Sequence, residues 1–209
     1  MDDQGGTPAP TSIPKALRNE DREEAFKWLE SINTEWNGLC ELEVLDHNFT
    51  RSDLEEAGVT TKPIPFSVCL KYKYDEKGNI NRYKTRLALA GHPGNMQKGI
   101  HFDRTYASTP VQHSTKILQE LMVKEKLKRL AFDIKQAYCQ ADLPSHERIA
   151  VRYPEGFRRY NEKSEELFMM LKKNLYGHPA AGRVWEKERN KQIILTLNTL
   201  RARGATVGY

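Results

Sequence analysis

Cysteine is scarce: 209 residues hold only Cys40, Cys69 and Cys139. The count is odd, the spacings are wide and no Cys-x-x-Cys pair occurs. That excludes a zinc knuckle, a dithiol redox motif and a disulfide-stapled secreted scaffold. Long apolar runs are also lacking; none approaches the roughly 20 residues a membrane-spanning helix needs. The opening Met1-Asp2-Asp3-Gln4-Gly5-Gly6 is acidic and polar, unlike a signal peptide. An intracellular, reducing setting without a membrane is therefore expected. No Gly-x-Ser-x-Gly elbow, no Walker-type phosphate loop and no repeat of roughly 20–50 residues is found. None of the six histidines is spaced as a helical metal pair, and His92 and His178, each before a proline, read as loop residues.

Aromatic residues are well supplied. Three Trp, nine Tyr and seven Phe, in a chain that is 38% hydrophobic, argue for a packed core rather than disorder. The 33 basic and 28 acidic side chains leave a net charge of +5, which suits a nucleic-acid partner without demonstrating one.

The pattern along the chain predicts a mixture of helices and strands. Gly5, Gly6, Pro8, Pro10 and Pro14 make residues 1–14 a disordered leader. Asp21 caps a helix carrying Ala25, Trp28, Leu29, Ile32 and Trp36 at helical spacing, with Gly38 as its stop. Cys40, Leu42 and Val44 alternate as a short strand, and 46–65 reads as a loop. Phe66 to Tyr74 and Tyr83 to Leu89 alternate around an Asp75–Asn79 turn, a hairpin whose Lys71 and Lys73, and Lys84 and Arg86, share faces. A second helix, capped by Ser114, carries Ile117, Leu118, Leu121 and Met122. Strands follow at 130–134, 149–153 and 167–171, then a helix over 180–200 and a flexible tail over 201–209. This order lacks a regular βαβ alternation. The fold class reads as α/β or α+β, and a doubly wound parallel sheet is disfavoured.

Asp133 stands out for chemistry. It closes the apolar run Leu130-Ala131-Phe132, where an unpaired charge is costly. A divalent metal would satisfy it, Mg²⁺ suiting a hard oxygen donor, but so would a simple cap at a strand end. Lys71, Lys73, Lys84 and Arg86 can hold phosphates or can be a solvated hairpin face. Asp142, before Leu143-Pro144, reads as a turn former.

Five motifs, in order, resemble the reverse transcriptases of copia-type retrotransposons. They are Arg82-Tyr83-Lys84-Thr85-Arg86-Leu87, the run from Gln97 to Ala107, Phe132-Asp133-Ile134-Lys135-Gln136-Ala137-Tyr138, Tyr153-Pro154-Glu155-Gly156-Phe157, and Leu171-Lys172-Lys173-Asn174-Leu175-Tyr176-Gly177 followed by Arg183-Val184-Trp185. The match is strongest over 71–185 within a domain at 15–200. The resemblance implies the fingers and partial palm of a right-hand polymerase, a mixed or antiparallel sheet with flanking helices. It implies an RNA or DNA template-primer and a deoxynucleoside triphosphate as partners, with Mg²⁺ as cofactor. Asp133 would be the catalytic carboxylate and, with Ile134, the metal position. Lys84, Arg86, Ile134, Tyr138 and Gly177 would bind the nucleotide, Tyr138 as the gate against a ribose 2′-hydroxyl. The sequence departs from the family after Gly177, reading His178-Pro179-Ala180-Ala181-Gly182-Arg183 where Leu-Lys-Gln-Ala-Pro-Arg is usual. The Tyr-x-Asp-Asp motif does not occur in these 209 residues. A truncated, catalytically incomplete polymerase is expected, the alternatives being a nucleic-acid-binding remnant or a non-functional gene fragment.

Overall fold

A computed structural model describes residues 8–109, 111–128 and 133–204. The chain enters through α1 (Ile13–Leu17), capped by the Ser12 hydroxyl, which accepts from the Lys15 amide at 3.4 Å. Ile13 and Ala16 are buried, so the part of the expected leader at Ile13 and Pro14 belongs to a packed helix. Residues 1–7 of that leader lie outside the described residues.

The main helix, α2 (Arg22–Glu41), starts as its sequence reads. The Asp21 carboxylate accepts from the amides of Glu23 at 2.9 Å and Glu24 at 3.2 Å, satisfying two of the helix's orphan donors. The Glu24 side chain accepts from Trp28 Nε1 at 3.3 Å and from the Tyr72 hydroxyl. Trp28 is fully buried, its ring centroid 5.3 Å from Tyr72 and 4.9 Å from Tyr83, the latter edge-on as aromatic quadrupoles favour.

The helix runs through Gly38 rather than stopping there. The strand expected over Cys40–Val44 is accordingly corrected. Leu39 extends the apolar stripe of Trp28 and Ile32, is fully buried, and keeps the backbone helical. The left-handed residue Glu43 (φ 52°) then turns the chain, and β1 (Leu45–Phe49) begins later. Gly38 serves a contact instead. A Cβ there would lie 2.7 Å from Nε2 of Gln136, so the missing side chain leaves room for the Gln136 amide group.

The stretch 46–65, expected to be a loop, holds β1 and α3 (Arg51–Glu56). Thr50 and Asp53 form a reciprocal capping box that starts α3. Strands β2 (Phe66–Tyr74) and β3 (Ile80–Leu89) form the expected antiparallel hairpin. Asp75 closes its turn, accepting from the amides of Lys77 at 2.9 Å and Asn79 at 2.8 Å. A second antiparallel sheet orders β1, then β5 (Phe168–Leu171), then β4 (Ala150–Arg152). One core joins the two sheets to α2: Trp28, Ile32 and Leu39 meet Leu70, Leu87 and Leu89 from the hairpin and Val151 and Met169 from the other sheet. Helices with small antiparallel sheets give an α+β fold.

Two helices stand apart from that core. Helix α4 (Gln112–Lys124) has Val111 at its cap, not Ser114, because it starts two residues before the serine. It buries none of its residues, and Ile117, Leu118 and Leu121 are exposed. Helix α5 (Ala181–Ala202), close to the range expected, buries only Ala181. The buried strand expected over 130–134 falls partly outside the described residues. Asp133 and Ile134 are exposed and in no strand, so the picture of a carboxylate ending a buried strand does not hold for them. Among the described residues no helix is long and apolar enough to cross a membrane.

Candidate functional site

The hairpin gathers positive charge by register. Strand side chains alternate, so Cys69, Lys71 and Lys73 share a face with Arg86, Lys84 and Arg82. Lys71 pairs directly with Lys84, and Lys73 with Arg82. Like charges directly opposite each other destabilise a sheet, so this face is arranged at a cost that a polyanion would offset. Lys84 feels the crowding: partial burial, then Arg86, Arg82 and Lys73, lower its pKa from the usual lysine value. It borders an open groove of about 750 Å³ between α2 and β3, with Lys27, Glu30, Ser31, Thr34 and Glu35.

Arg86 leads from this face to a pair of aromatic rings. Its guanidinium lies 5.1 Å from the Tyr176 ring centroid, within cation–π range. Tyr176 in turn meets Tyr138 with centroids 5.1 Å apart and planes tilted by 58°. Tyr138 sits in a 3₁₀ turn at Ala137–Gln140, entered through the left-handed Gln136 (φ 49°) that docks on Gly38. Glu35 flanks the group, accepting from the Leu87 amide at 3.3 Å. Burial raises its carboxyl, against the pull of that amide and of Arg86, Lys84 and Lys135.

Gly177 shows why the turn after Tyr176 needs glycine. Its φ is +83°, and a Cβ there would sit 2.0 Å from the Leu89 carbonyl oxygen. A Cβ on Gly91 would sit 1.8 Å from the Gly177 carbonyl oxygen. With the Leu89 amide donating to Tyr176 O at 2.7 Å, two glycines and one hydrogen bond fasten the turn to the end of β3.

The expected site residues are thus partly assembled. Arg86, Tyr138 and the turn holding Gly177 are linked through Tyr176. Lys84 stands on the same face as Arg86, farther along β3. Asp133 and Ile134 are exposed and precede the 3₁₀ turn in the chain. The Asp133 carboxylate is a hard donor of the kind Mg²⁺ takes. Among the described residues, however, no group of three or more His, Cys, Asp or Glu side chains could hold a metal ion. Asp133 therefore belongs to no cluster of three or more such ligands among the described residues.

Sequence reasoning missed Tyr176 as the link and Glu35 as its acidic neighbour. Tyr176 lies inside a quoted motif, so a signal existed. Glu35 is one polar residue on a helix, with nothing in its neighbours to mark it.

The chain thus lines up cations on a hairpin of an α+β fold and brings one of them, Arg86, beside two tyrosine rings tilted by 58° to each other. The chain is a member of the reverse transcriptase (RNA-dependent DNA polymerase) family, which it matches over residues 52–205, and within it of the copia type. It is similar to the retrovirus-related Pol polyproteins from transposons RE1 and RE2 of Arabidopsis thaliana, at 26% identity over 122 residues in each case. Those alignments cover 58% of this chain and 8% of each polyprotein, so the chain spans a small part of those relatives. No solved structure matches it.

Proposed function

We propose that this chain is the fingers and part of the palm of a right-hand polymerase, and that Arg86, Tyr138 and the Tyr176–Gly177 turn line its nucleotide site. The observation that carries this reading is the Arg86 guanidinium over Tyr176 with Tyr138 beside it. In this reading the Arg86 fork and Lys84 take the triphosphate oxygens, since a planar guanidinium matches phosphate geometry. The run from Ile134 to Tyr138 lies under the sugar, and the Tyr138 ring rejects a 2′-hydroxyl. Gly177 lets backbone approach the nucleotide without a side chain between them. The template-primer backbone runs along Lys71, Lys73 and Arg82 on the same face.

Asp133, with Ile134 beside it, would contribute one position toward Mg²⁺, which supplies charge stabilisation in phosphoryl transfer when bound. One carboxylate does not hold two ions. The 209-residue chain by itself is therefore expected to bind nucleotide and nucleic acid without extending a primer. The like-charge rows on the hairpin favour a second reading, a module that binds nucleic acid and no nucleotide.

Binding measurements separate the two. Titration with dTTP and with an RNA–DNA primer–template is expected to give saturable binding of both, the second weakening steeply with salt. Arg86→Ala should lower dTTP affinity at least tenfold. Salt-dependent primer–template binding with no dTTP binding would leave only the second reading. Absence of both would overturn the proposal.

A further inference from the structure

Leu87 follows Arg86 on β3 and, by strand alternation, turns its side chain to the opposite face. There it floors a cavity of about 230 Å³ together with Ile13 and Ile32, all three buried. Aromatic rings form the walls: Trp36 from α2, and Tyr153 and Phe157 from the segment after β4. Tyr153 is held in place. Its hydroxyl is hydrogen-bonded to His47 Nδ1 at 3.1 Å, and its ring centroid lies 6.3 Å from that of Trp36 with the planes 38° apart. The exposed residues Asn33 and Arg159 line the open side.

Arg159 carries its charge there without a carboxylate. Its guanidinium lies 5.2 Å from the Tyr153 ring centroid. Its neighbours Arg152 and Arg158 both turn to Glu166, at 3.0 Å and 3.8 Å. Among the described residues no Asp or Glu pairs with Arg159 itself. Its field reaches His47, whose pKa burial and then Arg159 lower, against the pull of Asp46.

Size, walls and charge together select a ligand. An apolar cavity of roughly 150 Å³ accepts benzene, while drug-sized ligands take about 300 Å³ or more. The space beside Trp36 therefore suits one ring with a short arm. Aromatic walls favour a ring over a bare chain, through offset or edge contacts at centroid distances of about 4.5–7 Å. An anionic arm suits the guanidinium, whose planar fork a carboxylate fills with two parallel bonds, and the Asn33 amide supplies a further donor on the same cavity. We propose that this cleft binds a small aromatic carboxylate, its ring among Trp36, Tyr153 and Phe157 and its carboxylate on Arg159. The proposal stands apart from the nucleotide-site reading, since the two sites share no residue.

The test titrates the ¹⁵N-labelled 209-residue chain with phenylacetate and, as its neutral counterpart, with phenylacetamide. Phenylacetate is expected to give saturable shifts of the Trp36 indole N–H and of the amides at 153–159, with a Kd of about 1 mM or below, within reach of so small a ligand. Wild type should bind the acid about tenfold more tightly than the amide, the factor that one charge-assisted contact supplies. In Arg159→Gln, a change at an exposed position, the acid should fall to within about twofold of the amide, whose own affinity stays as in wild type. Equal binding of acid and amide by wild type would overturn the proposal, and that comparison needs no variant to fold. So would the lack of a saturable shift up to about 20 mM acid, or shifts gathered on Lys71, Lys73 and Lys84 of the hairpin instead.

Discussion

Gly78 and Gly177 share a backbone angle and differ in their surroundings, which makes a paired substitution informative. Both have φ +83°. A Cβ on Gly78 meets nothing within 4 Å, whereas one on Gly177 would lie 2.0 Å from the Leu89 carbonyl oxygen and 2.9 Å from Leu89 N. For Gly78→Ala the left-handed conformation costs about 1–2 kcal/mol, offset by roughly 0.4–1 kcal/mol from the stiffer unfolded chain. The net loss is about 1 kcal/mol. Gly177→Ala incurs the same loss plus a clash with backbone that cannot swing aside. Forcing the turn outward adds about 1–3 kcal/mol of strain and puts the bond from the Leu89 amide to Tyr176 O at risk, about 1 kcal/mol more. The expected total is about 3–5 kcal/mol. Urea unfolding followed by far-ultraviolet circular dichroism measures both variants. Losses equal within about 0.5 kcal/mol, inside the usual range of a surface substitution, would refute the close approach at Gly177.

Three further outcomes are expected. Trp28→Ala removes the ring that α2 buries against Tyr72 and Tyr83 and should cost about 3–5 kcal/mol in urea unfolding, while a loss below about 1 kcal/mol would contradict its place in the core. Asp21→Ala should cost about 1 kcal/mol, and no loss would mean that its two amide contacts contribute nothing to α2. Glu147 has a folded pKa raised to about 7 from 4.5, so its contribution is intact below pH 4.5 and is lost as pH rises to about 7. Glu147→Gln should therefore gain on wild type by about 2–3 kcal/mol between those limits, at about 1.4 kcal/mol per unit, and a pH-independent difference would contradict the shift.

Legibility in the sequence followed the length of each periodic signal. The hairpin's alternation runs through nine- and ten-residue strands, and α2 repeats its apolar stripe over several turns; both could be read. Cys40–Val44 misled because five alternating residues cannot be told from the end of a helical stripe, and Leu39's burial decides the matter only in three dimensions. The α3 helix was passed over because a six-residue helix has room for one apolar anchor, Leu54, and its capping box was the only other cue. For the site, cation sharing on β3 followed from the period of two. The cation–π approach of Arg86 to Tyr176 joins residues 90 positions apart in the chain, and no local pattern reports it. The Glu147–His178 approach spans 31 positions, and the histidine before Pro179 reads as a loop residue although its side chain is buried.

The central claim is that Arg86, Tyr138 and the Tyr176–Gly177 turn form one nucleotide-binding wall. Titrating the ¹⁵N-labelled chain with dTTP while following every assigned amide tests it most directly. The account expects saturable shifts grouped at 84–87, 136–140 and 175–178, largely abolished in Arg86→Ala. Shifts spread evenly over the lysines and arginines of the surface, unchanged in that variant, would contradict it.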